Sequence, residues 1–129
     1  MRQPTRSATD RPLGEELAYA IAAKDADTLR ALCATPVTFR AVTPRRFWDA
    51  ETSVAVAEII LDTWFGPDKT ITGITSIETD TVGDLQKVSY RMAVDLHSGP
   101  SVIEQVAYYS EQGGHITNLR LVCSGFRPV

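Results

Sequence analysis

The period of the apolar positions changes partway along the chain. Leu13, Leu17, Ala20 and Ile21 recur at helical spacing, and Glu15 and Glu16 load the first turn with favourable charge. Pro12 suits that first turn and Asp10 its cap. A break at Lys24-Asp25-Ala26-Asp27 recaps a shorter helix carrying Leu29, Leu32 and Cys33, which Pro36 ends. Residues 37–42 read as a short strand. Arg45-Arg46-Phe47-Trp48 reads as a loop whose two aromatics plug one end of the core. Thr52 or Ser53 then caps a third helix with the stripe Val54, Ala57, Ile60, Leu61 and Trp64, stopped by Gly66-Pro67.

Beyond that point the pattern is that of strands. Residues 70–79 are β-branched, and Gly73 inside them marks a bulge or a close approach. Val82-Gly83-Asp84 turns into a strand over 85–96, and His97-Ser98-Gly99-Pro100 makes the next turn. Residues 101–110 and 116–123 form a hairpin around Gly113-Gly114. Its period of two separates the faces: Ile103, Gln105, Ala107 and Tyr109 lie on one, Val102, Glu104, Val106 and Tyr108 on the other. Both faces are partly apolar, which fits one on the core and the other on a dimer surface. Helices first and strands afterwards predict an α+β domain.

Composition narrows the function. With 129 residues there is room for one core, so residues 1–11 are expected to be a flexible lead and 12–129 a single domain. A formal charge of −3 gives no reason to bind nucleic acid, whatever Arg2, Arg6 and Arg11 do in the lead. No apolar run is long enough to cross a membrane, and no signal-like run opens the chain. Cys33 and Cys123 read as buried thiols of a reducing, cytoplasmic compartment. No cofactor or metal is expected, since no Gly-rich phosphate loop, serine elbow or metal-spaced cluster occurs. His97 and His115 sit in turns.

Several short stretches then carry a likeness. They are the helix break from Ala22 to Leu29, Pro36-Val37-Thr38-Phe39, Trp64-Phe65-Gly66, Tyr90-Arg91, Glu104-Gln105 with Tyr108-Tyr109, Gly114-His115-Ile116 and the terminal Cys123-Ser124-Gly125-Phe126-Arg127-Pro128. In this order the chain resembles the NTF2-like superfamily, in particular small bacterial SnoaL-like proteins. The resemblance implies a cone-shaped NTF2-like barrel, a curved and mostly antiparallel sheet wrapped around three N-terminal helices, with a pocket at its wide end and a homodimer through the sheet. Members include isomerases, cyclases, epoxide hydrolases and plain binding proteins, so the fold does not choose a reaction.

The residues are needed for that choice. Where steroid isomerase-like members place a phenol, a base and an acid, this chain has Leu17, Arg40 and Ala107. Where cyclase-like members place a histidine, it has Leu119. Those proton-transfer groups are missing. Epoxide hydrolase-like members use an Asp-Arg-Asp arrangement around a water, and here Arg91 and Asp95 share a strand face, with Glu104 from the next strand as a third member. An arginine there could orient an acid that activates water or polarises a substrate oxygen.

The main expectation is therefore binding of a small, largely apolar molecule in the conical cavity, lined by Tyr19, Phe39, Trp48, Trp64, Gln105, Tyr109, Leu119, Leu121 and Cys123. The enzyme alternative is a SnoaL-like hydrolase, isomerase or cyclase using Arg91 with Asp95 or Glu104. The third reading is a structural or protein-interaction dimer without ligand. The enzyme reading requires Arg91 and a carboxylate to face an open pocket.

Overall fold

A computed structural model describes residues 11–129. The N-terminal lead read from the sequence, apart from Arg11, lies outside the described residues.

The two N-terminal helices form where the pattern places them. Helix α1 (Leu13–Ala22) buries Leu13, Leu17 and Ile21 completely. Gly14, inside its first turn, is a packing requirement. A Cβ there would stand 2.8 Å from Tyr109 Cε1 and from Val88 Cβ, and the Gly14 N–H donates to Tyr109 Oη at 2.8 Å. Asp25 caps α2 (Ala26–Leu32), accepting from the Thr28 N–H at 3.1 Å. Lys24 makes the break between them in the left-handed region, at φ 52°. Its ammonium reaches across to donate to the carbonyls of Gly66 (3.1 Å) and Lys69 (2.6 Å).

Three local expectations need correction. Cys33 caps the end of α2 rather than lying inside it, and Pro36 does not end it; both lie in strand β1 (Cys33–Thr43). The segment read as a loop at Phe47-Trp48 is strand β2 (Arg46–Ala50), which pairs antiparallel with β1. The third helix begins as α3 (Ser53–Ala57), capped by Thr52, and continues as a π-helix over Glu58–Trp64. The wider turn still buries Ile60, Leu61 and Trp64.

The strands are β3 (Thr70–Val82), β4 (Leu85–Leu96), β5 (Gly99–Gln112), β6 (His115–Cys123) and the two-residue β7 (Arg127–Pro128). Register shifts flank Gly73, where the sequence marks a bulge. The sheet order is β2-β1-β6-β5-β4-β3, with β7 paired to β5. All pairings are antiparallel except β1 with β6, which is parallel.

This overturns the expected barrel. Strands β2 and β3 end the order without meeting, so the sheet is open, with two edges. Nor does it wrap three N-terminal helices: among the described residues two helices, α1 and α2, precede the first strand, and α3 lies between β2 and β3. The α+β class stands; the closure does not.

One face of the sheet carries the core. Phe39, Val88, Met92, Ile103, Ala107, Tyr109, Leu119 and Leu121 are no more than 1% exposed and share a cluster with the helix residues Leu17, Ile21, Leu29 and Ile60. Alternation sends their strand neighbours to the opposite face, over which no helix residue of the cluster lies.

Candidate functional site

The residues expected to line a cavity mostly fill the space between helices and sheet. Phe39, Gln105, Tyr109, Leu119 and Leu121 are at most 1% exposed, and Trp64 and Cys123 are nearly as deep. They are core. Trp48 and Trp64 pack edge to face with ring centres 5.9 Å apart, and Phe39 adjoins Trp64 at 6.3 Å. Tyr19 is 40% exposed beneath the Arg11 guanidinium, away from this cluster. The positions Leu17, Ala107 and Leu119, where related chemistry would need polar groups, are fully buried and apolar.

The buried polar groups on this face are tied to each other. Tyr90 Oη donates to Gln105 Oε1 at 2.6 Å, and Gln105 Nε2 donates to Cys123 Sγ at 3.4 Å. The Gly125 N–H reaches the same sulfur at 3.4 Å. Burial pushes up the Tyr90 phenol and the Cys123 thiol, and raises Cys33 from 9.0 to about 11. Both cysteines are free thiols. Neutral groups in mutual hydrogen bonds hold strands together; they are not poised for proton transfer.

The charged candidates lie on the other face. Arg91 on β4 and Glu104 on β5 are register partners, as the sequence reading of adjacent strands requires. Arg91 Nε stands 3.9 Å from Glu104 Oε2, beyond hydrogen-bond reach but wide enough for an intervening oxygen. The other carboxylate oxygen, Oε1, accepts from Arg127 Nη2. Arg127 arrives on β7, whose pairing with β5 sets it opposite Val102. The Glu104 backbone is fixed as well, its N–H donating to Ser124 Oγ at 2.9 Å and its carbonyl accepting from Ser124 N at 2.9 Å.

Arg91 and Glu104 line a groove of about 330 Å³ with Ser76, Glu78, Ser89 and Val106. The two side chains are 48% and 47% exposed. Asp95 is not part of it. It pairs with Thr70 and Pro100, four residues along the strand from Arg91. The second carboxylate lining the groove is instead Glu78, from β3. Sequence reasoning missed Glu78 and Arg127. Glu78 follows from register once β3 and β4 are aligned; Arg127 comes from a strand too short to carry a pattern.

Comparison with known proteins follows the geometry. No protein-family model matches the chain, and no curated protein matches it. Solved structures do. One is an LEH-like epoxide hydrolase from M. tuberculosis, 14% identical, with a TM-score of 0.64 over 87% of this chain and 80% of that one. Another is an NTF2-like protein from Burkholderia xenovorans, 13% identical, with a TM-score of 0.64 over 87% and 86%. The fold is similar to that of these structures, the second of them NTF2-like. A third similar structure is a Catenulispora acidiphila protein of ketosteroid isomerase-like fold in complex with trimethylamine, 13% identical, with a TM-score of 0.61 over 87% and 85%. At such identities the likeness carries the fold and no residue roles.

Proposed function

We propose that the chain is an enzyme of the NTF2-like fold that hydrolyses a strained or activated C–O bond, of the epoxide class, in a small and largely apolar molecule. The observation that carries this reading is the gap between Arg91 and Glu104. Arg127 holds one oxygen of the Glu104 carboxylate, while the other faces a guanidinium across 3.9 Å in a groove. A water placed there gives its proton to Glu104 Oε2 as its oxygen attacks carbon. Arg91 donates to the substrate oxygen that gains negative charge as the C–O bond breaks, and the proton on Glu104 returns to it. Glu78 supplies a second carboxylate on the groove wall. The resemblance of the fold to an LEH-like epoxide hydrolase supports the same class.

The test is turnover of a panel of small epoxides. Glu104→Gln should lower kcat/KM by about 10²- to 10⁴-fold and Arg91→Gln by about 10²-fold, with the fold unchanged by circular dichroism. If the wild-type protein turns over no member, or Glu104→Gln retains full turnover, the reading fails.

A homodimer through the sheet is the competing use of this face. Val42, Phe47 and Val122 are 40%, 83% and 52% exposed there, which favours it. Burying the charged groups of the same face opposes it. A cytoplasmic location is supported by the two free thiols. Among the described residues, no helix is long and apolar enough to cross a membrane.

A further inference from the structure

The open face holds a like-charge contact that folding does not require. The register of β2, β1, β6, β5, β4 and β3 lines up one row across the sheet: Asp49, Arg40, Arg120, Tyr108, Lys87 and Asp80. Arg40 and Arg120 are direct neighbours in this row, on adjacent strands about 4.8 Å apart. Like charges so placed repel and weaken strand pairing. The chain is acidic, with a formal charge of −3, so carboxylates are abundant. Yet among the described residues no carboxylate lies within ion-pair distance of either guanidinium. The Lys87 ammonium, next but one in the row, sits 5.9 Å over the Tyr108 ring and adds to the positive field.

The same two arginines line a groove of about 700 Å³. Its other walls are mainly apolar, with Phe47, Val42, Val122 and Trp48 among them, and Asp49 is the one carboxylate in its lining. Phe47 is 83% exposed, an expensive position for a phenyl ring with nothing against it. A volume of this order matches a small-molecule site, and two neighbouring guanidiniums match the two oxygens of a carboxylate.

We infer that this groove binds a flat, apolar carboxylate, its anion bridging Arg40 and Arg120 and its body against Phe47, Val42 and Val122. The anion removes the repulsion between the two strands, and the apolar body covers the exposed ring. The site is distinct from the Arg91–Glu104 groove, since Tyr108 and Glu104 are four residues apart on β5, roughly 13 Å along a strand. Neither depends on the other.

Calorimetric titration with naphthoate, and with neutral naphthamide of the same shape, tests it. Naphthoate should bind saturably and naphthamide should not. Arg120→Gln and Arg40→Gln should each weaken naphthoate binding by about tenfold or more, with circular dichroism unchanged. Equal binding of the acid and the amide would overturn the inference. So would the absence of saturation with folded protein, or a stable homodimer by sedimentation that takes up no naphthoate.

Discussion

The two faces of the sheet are built from the same strands and follow opposite rules. Along β5, Ile103, Gln105, Ala107 and Tyr109 point to the helices and are at most 1% exposed, while Val102, Glu104, Val106 and Tyr108 alternate with them on the open side. On the helix side the polar atoms are largely satisfied from within. Tyr90, Gln105 and Cys123 bond in series, Tyr109 Oη takes the Gly14 N–H, and Ser101 Oγ donates to the Val94 carbonyl at 3.0 Å. Trp64 Nε1 is an exception among the described residues, buried without a hydrogen-bond partner. On the open side guanidiniums stand beside one another and beside exposed apolar groups. Stability is made on one face, and the groups that stability does not need collect on the other.

Substitutions on one strand can break this comparison. Phe39 and Val42 lie three residues apart on β1 and point to opposite faces. Phe39→Ala empties a fully buried site beside Trp64 and should cost about 3–5 kcal/mol. Val42→Ala should change stability by no more than about 0.5 kcal/mol. Urea denaturation of both variants measures the difference. Equal costs would mean that the open face is covered in solution.

How much of this was legible in the sequence depends on what carried the signal. Leu13, Leu17 and Ile21 announce their helix because burial on one face imposes a period, and the Gly113-Gly114 hairpin announces its turn. Both glycines take positive φ, 61° and 82°. Strand β2 was hidden because an edge strand of five residues, one of them an 83% exposed phenylalanine, shows no alternation. Closure was also beyond reach: a sheet becomes a barrel only if its last strands meet, and local patterns do not encode that pairing. The Arg91–Glu104 pair came from the resemblance to epoxide hydrolase-like members together with strand spacing. Its face stayed open, because residues that alternate on a strand do not say which side the helices will cover.

The next effect is set by pH. Burial holds the Cys33 thiol neutral, with its pKa raised from 9.0 to about 11. The folded state therefore keeps a proton that the unfolded chain releases above pH 9.0, and stability falls where the unfolded state binds fewer protons. The contribution is complete below pH 9.0 and is lost as pH rises towards about 11. Tyr90 and Cys123 are shifted in the same direction by burial and add to the slope. Unfolding free energies across this window should decline, and Cys33→Ala should flatten the decline without removing it. An unchanged slope would show that Cys33 contributes nothing to the loss.

The smallest effect gives the sharpest contrast, because it compares adjacent residues of β5. Gln105 faces the helices and Glu104 the groove. Tyr90→Phe deletes the hydroxyl that donates to Gln105 Oε1 at 2.6 Å and strands a buried amide oxygen, at about 1–2 kcal/mol. Glu104→Gln removes a carboxylate that is half in water, where paired charges contribute about 0–1 kcal/mol. Stability should thus fall more for Tyr90→Phe. Turnover should do the reverse, lost in Glu104→Gln and retained in Tyr90→Phe at temperatures below its unfolding transition. Denaturation and kinetics on this one pair separate a residue that holds the sheet from a residue that uses it. If both variants lose activity in proportion to stability, the open face has no chemistry of its own.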